Sequence, residues 1–235
     1  MFYIFMRNYC FHINFIGDLT TASILEYTGL KFDQVNAYLQ NLMKNNKHEI
    51  TQTSENPMIY LHQRRFSKSL SNKSVIWIIL HLHLELRKIS YEIDSIFGIQ
   101  MTIKMACYFG WITINLREIL YAILSNNYVK FRIMSIIMHL FWLFHNVFKF
   151  LLINYMCEIV TTKASTTADL LNRLSYFPCD VEIREIISQF SLQIVYAPLK
   201  FCGIGFFQFG FKFLRRFVTS IATVLVIIIQ AHANK

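Results

Sequence analysis

Residues Phe217 to Lys235 read FVTSIATVLVIIIQAHANK. From Phe217 to Ile229 the run is aliphatic apart from small hydroxyl residues and carries no charge, and a single amide, Gln230, follows it. As a helix rising about 1.5 Å per residue, Phe217 to His232 covers ~24 Å, short but sufficient to enter a bilayer. An amide within such a span is costly unless it meets water or a partner, so Gln230 needs a reason to be there. This stretch sets the fold class as a helical membrane protein, and the rest of the chain is read outward from it.

The composition agrees. Of 235 residues 54% are hydrophobic and 16% aromatic, with 7 Gly and 3 Pro. Charged residues make up 16%, below the roughly 25% of soluble domains. The mean hydropathy is +0.38. A net charge of +9 admits two explanations, a nucleic-acid surface or basic loops beside a membrane. Nucleic-acid binders are not built around long Phe-rich and aliphatic runs, so the basic loops are preferred and no nucleic-acid partner is expected. The cysteines at 10, 107, 157, 179 and 202 form no CxxC pair and no zinc spacing, which argues for free thiols and against a metal or redox centre. The opening MFYIFMRNYCFHINF breaks its apolar run with Arg7, Asn8, His12 and Asn14 and does not read as a secretory signal.

Four spans are expected, over 2–30, 100–124, 133–157 and 217–232. The first is the weakest, since it carries Arg7, Asp18 and Glu26. The second, centred on Cys107-Tyr108-Phe109-Gly110-Trp111, covers ~36 Å. The third is the longest and richest in Phe, Leu, Ile and Met. Its His139, His145, Asn146 and Lys149 mark a face turned toward protein or water. The short connection Ser125 to Arg132 makes the two middle helices antiparallel neighbours. Segments 31–99 and 158–216 are polar and are placed on the cytoplasmic side by their basic residues, which leaves the C-terminus outside. Within the first of them, Asn45 to Asn72 reads as a flexible linker, and helical character resumes from Val75 to Ile99.

Few residues suggest chemistry. In HLHLE, His81 and Glu85 share a helical face while His83 points away; without a further ligand this is a polar stripe rather than a metal site. His139 and His145, six apart, do not stack on one face and read as buried, hydrogen-bonded side chains. Arg117 and Glu118 are adjacent and are not expected to face one another, so Arg117 is read as an interfacial anchor. Gly203-Ile204-Gly205 begins a GxG without completing a nucleotide loop, and no strand-turn-helix context is expected around it. No hydrolase, phosphate-loop or paired-carboxylate motif occurs, so no enzyme activity and no cofactor are expected.

Several segments, in order, resemble insect gustatory receptors. Thr223-Val224-Leu225-Val226-Ile227-Ile228-Ile229-Gln230-Ala231 resembles their closing TYxxxxxQF signature, with Val224 and Ala231 in place of the aromatics. Phe190-Ser191-Leu192-Gln193 and Phe201-Cys202-Gly203-Ile204-Gly205-Phe206-Phe207 resemble the FSLQ and FxxxGFF elements upstream. Thr161 to Leu174, His83-Leu84, Glu92-Ile93, Phe97-Gly98-Ile99-Gln100, and Phe32 to Asn36 with Leu39 are similar to further family segments. The signature positions are thus Phe190, Gly203, Phe206, Thr223 and Gln230.

The resemblance implies an all-α, polytopic fold of seven spans with inverted topology, represented here by about the last four spans and the cytoplasmic anchor helices of a single membrane domain. It implies a multi-pass plasma-membrane protein without the family's first three spans, whether as a fragment, a truncated gene model, a pseudogene product or an intact short protein. It also implies a taste-ligand-gated, non-selective cation channel subunit in a homo- or hetero-tetramer, its partners being a small-molecule tastant, other receptor subunits and membrane lipid. Ile227 and Gln230 share a helical face, and the resemblance places Ile227 at the constriction and Gln230 in the wet pore, unless Gln230 simply sits among headgroups. Tyr108, Trp111, Asn115, His139 and Trp142 are the candidate ligand-binding residues, being aromatic or polar inside spans. The odorant receptor branch, a non-conducting fragment and an unrelated transporter piece are the alternatives.

Overall fold

In a computed structural model the backbone is described for residues 2–52, 61–124, 129–176 and 181–233, and side chains for 13–44, 73–123, 132–176 and 181–230. The described chain is helical apart from one short hairpin. In order come α1 (Phe2–Gln52), α2 (Leu61–Leu124), α3 (Val129–Ser175), α4 (Val181–Tyr196), β1 (Cys202–Gly203), β2 (Phe207–Gln208) and α5 (Phe211–Ala233). Pro198 follows the end of α4, where its missing N–H removes no hydrogen bond from a helix interior, while Pro57 and Pro178 lie outside the described residues. Two described stretches, Arg132–Ser175 and Phe211–Gln230, are long and apolar enough to cross a bilayer.

Three expectations are corrected. The linker expected over Asn45 to Asn72 is helical at 45–52 and 61–72, and its centre, 53–60, lies outside the described residues. Of the connection expected from Ser125 to Arg132, Val129 to Arg132 already belongs to α3 and 125–128 lie outside the described residues. Around Gly203 a strand pair does form: β1 and β2 are antiparallel, pairing Cys202 with Gln208 and Gly203 with Phe207. Phe206 N donates to Gly203 O at 2.9 Å across a turn whose central residues, Ile204 (φ 50°) and Gly205 (φ 75°), both have positive φ. Type I′ turns have that requirement. Two-residue strands leave too short an alternation to be read from sequence.

The chain divides into two compact units, and each is described separately. Unit 1 comprises Met1–Ile24, Asp94–Glu158 and Phe201–Lys235, and unit 2 comprises Leu25–Ile93 and Ile159–Lys200.

Three of the receptor-like segments meet in unit 2. Phe32 on α1, His83 on α2 and Phe190 on α4 form an edge-to-face ring cluster, with centroids 5.3 Å and 5.5 Å apart across His83. Phe32, Leu39, Leu171, Leu174 and Ile187 are fully buried with it. Polar residues lock the helices in register. Asn36 Nδ2 donates to Lys163 O at 2.9 Å, Thr167 Oγ1 donates to Asn36 Oδ1 at 2.8 Å, and Ser191 Oγ reaches Ala168 O at 3.4 Å. Residues selected by resemblance from three distant segments are therefore core residues, and their chemistry is packing.

His83 has a cost attached. It is 2% exposed, and its Nδ1 has no hydrogen-bond partner among the described residues. Burial first, and the Arg87 charge second, lower its pKa from 6.5 to about 4. The depressed value means that the unfolded chain takes up this proton first as pH falls. The stability contributed by neutral His83 is fully present above about pH 6.5, is lost as pH drops toward 4, and stays flat below. The window corresponds to about 3 kcal/mol. His83→Leu is expected to flatten the pH dependence of the melting temperature in that window relative to wild type. An unchanged slope would show that His83 does not titrate as argued.

Candidate functional site

In unit 1 the polar groups carried by apolar helices converge. Asp18 on α1 is 1% exposed and is the centre of the site. Lys104 Nζ approaches its Oδ1 at 2.7 Å, Tyr108 donates its hydroxyl to Oδ2 at 2.6 Å, and Lys149 Nζ lies 3.6 Å from Oδ2. The spacing explains the convergence. Lys104 and Tyr108 are i, i+4 on α2 and so project from one face, as do His145 and Lys149 on α3. Lys149 also stands over the Phe15 ring, 5.3 Å from its centroid, and His145 packs against Phe15 at 6.0 Å and against Trp142 at 6.1 Å.

The charge that makes residues 2–30 the weakest span candidate is thus the one that the other two helices enclose. A lone carboxylate in that setting carries a desolvation cost of several kcal/mol, on the order of what two close cations and a phenol return. With both lysines protonated the cluster is one positive charge in excess, so it suits an electron-rich or anionic group. Among the described residues no group of His, Cys, Asp and Glu could hold a metal.

The five expected ligand-binding residues enter different contacts. Tyr108 belongs to the Asp18 cluster. Asn115 and His139 form a second pair, with His139 Nδ1 3.1 Å from Asn115 Oδ1, and Asn115 Nδ2 also donates to Trp111 O at 2.7 Å. That contact brings α2 and α3 together 24 residues apart in sequence, as antiparallel neighbours require. Trp142 packs edge-on to His145. The Trp111 side chain is 56% exposed and stands apart from them. His139 and His145 are only part-buried, not the enclosed histidines expected, because α3 offers this face to few neighbours. Arg117 and Glu118 are paired after all, at 2.9 Å. Both are solvent-accessible and Arg117 lies over Tyr121, 5.6 Å from its centroid, so a long flexible side chain swings round to its neighbour.

The expected pore residues lie on α5, where Ile227 is 58% exposed and Gln230 is exposed. Thr223 donates to Thr219 O at 3.0 Å, within its own helix. Most of α5 is uncovered, and only its first turns are tied down. Phe217 stacks on Phe150 of α3 with centroids 3.9 Å apart, and Phe213 stacks on Phe207 of the hairpin at 4.4 Å.

The ties at the start of α5 were not anticipated from sequence. Asn154 Oδ1 accepts from Gly210 N at 3.1 Å and Glu158 Oε2 from Phe211 N at 3.1 Å, so two α3 side chains one turn apart cap α5. Asp94 Oδ1 accepts from Cys202 N at 2.9 Å, and burial, partly offset by that bond, raises the Asp94 pKa. Gly98, from the FGxQ-like segment, lies under the Cys202 carbonyl, where a side chain would be tight. The only sequence signal for these residues was their polarity at the end of an apolar run.

Long, mostly apolar helices enclose a paired carboxylate, and two of them are long and apolar enough to cross a bilayer, an arrangement that suits a helical membrane protein. A family model for the 7tm chemosensory receptor matches residues 2–235, and the chain belongs to that family. No curated protein matches it.

Proposed function

We propose that this chemosensory receptor is a gustatory-type subunit of a ligand-gated, non-selective cation channel at the plasma membrane. The observation that carries the reading is α5: apolar, long enough to cross a bilayer, and with exposed residues along most of its length, Phe217 being its one buried residue among those described. Such a helix needs partners, and copies of it arranged about an axis form a hydrophobic constriction that closes by dewetting. Ile227 is then the constriction and Gln230 lines the adjacent wet segment. Unit 1 is the membrane part, since the expected spans over 100–124, 133–157 and 217–232 all fall in it, and unit 2 is the cytoplasmic anchor. The C-terminus lies outside the cell. A small molecule binds among Tyr108, Asn115, His139 and Trp142, with Trp111 at the rim.

The test is whole-cell current from the protein challenged with tastants. Ile227→Ala is expected to raise ligand-independent current several-fold, and Gln230→Ala to shift relative cation permeability while surface expression stays unchanged. If leak, selectivity and conductance were all unaltered in a conducting protein, the pore assignment would be wrong. An epitope at the C-terminus that stains only permeabilised cells would overturn the orientation. Responses confined to volatile odorants would move the protein to the odorant branch.

A further inference from the structure

The hairpin before α5 is built against local preference. Ile204 has φ 50° in the first central position of its turn. A β-branched residue is a genuine outlier there, where Asn or Gly would sit without strain. Ile204 is 52% exposed, so its own burial does little to repay the strain. Its neighbour Phe206 is 85% exposed, while Phe207 turns inward onto Phe209 and Phe213. Phe211, the first residue of α5, is 52% exposed. Three large apolar side chains thus project from a short rigid segment.

The charge around them has one sign. Residues 201–235 contain no Asp or Glu, whereas Lys212, Arg215 and Arg216 are all exposed in the first turns of α5. The two carboxylates that reach this segment, Asp94 and Glu158, accept from the backbone N–H groups of Cys202 and Phe211. An apolar tip beside cations, at the end of a helix long enough to span, matches the boundary of a bilayer, where rings sit at headgroup depth and ammonium and guanidinium groups meet lipid phosphates.

We propose that the Ile204–Phe206 tip and the Lys212, Arg215, Arg216 cluster form a docking surface for anionic lipid headgroups of the leaflet in which α5 begins. The tip inserts between headgroups and the cations hold their phosphates, which fixes the depth of α5. This rests on α5 as a membrane span, and the experiment separates the two claims.

The purified chain is reconstituted in phosphatidylcholine vesicles with or without phosphatidylglycerol. Phe206→Trp reports the tip and Val226→Trp the middle of α5, each read as quenching by brominated lipid beyond that of the native tryptophans. Quenching at both positions, stronger at 206 with brominated phosphatidylglycerol than with brominated phosphatidylcholine, is the expected result. Combining Lys212→Gln, Arg215→Gln and Arg216→Gln should abolish that lipid preference and reduce phosphatidylglycerol retained on purification to its share in the membrane. Ile204→Asn should raise the melting temperature by relieving the turn while lowering quenching at 206. Quenching at 226 but not at 206 would leave the span standing and overturn the docking surface. Shielding of the Phe206→Trp reporter in lipid-free detergent that tracks oligomer formation would also overturn it, by naming a second copy as the occupant.

Discussion

Asp18→Asn is expected to destabilise the receptor by about 3–5 kcal/mol, the usual consequence of removing one member of a buried charge group. The substitution conserves shape but removes the carboxylate that Lys104 and Lys149, whose side chains are 12% and 5% exposed, share. Two ammonium groups cannot both stay protonated at low cost so close together in an apolar setting. Either one loses its proton or the helices separate. Against a typical total of about 5–15 kcal/mol, that loss should appear as reduced monodisperse yield and a melting temperature lowered by several degrees. The control is the combined variant Asp18→Leu, Lys104→Met, Lys149→Met. It replaces every charge with apolar volume and should recover most of the stability, because the charges largely cancel their own desolvation.

The pair of variants also separates architecture from recognition. If the cluster serves only to hold α1, α2 and α3 together, the apolar variant should fold and respond to ligand as wild type does. If its excess positive charge takes part in binding, the apolar variant should fold but lose its response. A melting temperature unchanged by Asp18→Asn alone would show that the contacts at 2.6 and 2.7 Å do not persist in the membrane.

What the sequence disclosed follows from the range over which each signal acts. The helical class, the antiparallel pairing of α2 and α3 and a long apolar helix running on from Phe217 were legible, because hydropathy and short connections act locally. Phe32, His83 and Phe190 could be picked out by resemblance, but not as a three-ring contact, since nothing in three separated motifs states that they touch. Asp18 was visible only as a defect in a weak span. Its meaning lay in Lys104 and Lys149, 86 and 131 positions away along the chain. The hairpin was missed because two-residue strands have no readable period, and the ties on α5 were missed because Asn154 and Glu158 act on backbone groups.

Gly210→Ala is expected to be the second severe change, through a contact that the sequence does not announce. Gly210 has φ 124°, a conformation that side-chain-bearing residues rarely adopt, and a Cβ built there would collide with Glu158 Oε2. Forcing the backbone alone costs about 1–3 kcal/mol. Displacing Glu158 further removes its hydrogen bond to Phe211 N, a charged acceptor worth about 1.5–3 kcal/mol. The adjoining bond from Gly210 N to Asn154 Oδ1 is buried, and Asn154 is held by its own bond to Phe150 O at 2.9 Å, so α5 has little room to shift instead. Thermal unfolding of Gly210→Ala, Glu158→Ala and the double variant checks the argument. Because Glu158→Ala already removes the obstacle, the double variant should lose less than the two single losses added together, by about 1 kcal/mol or more. Strict additivity would mean that Glu158 does not stand over Gly210. The same cycle bears on gating. On the proposed channel reading, Asn154 and Glu158 link α3, which also carries His139, Trp142 and Lys149, to the start of α5. Variants that cut them should weaken ligand-evoked current more than they weaken folding, whereas a fall in current that only matches the fall in folded protein would reduce the clamp to scaffold.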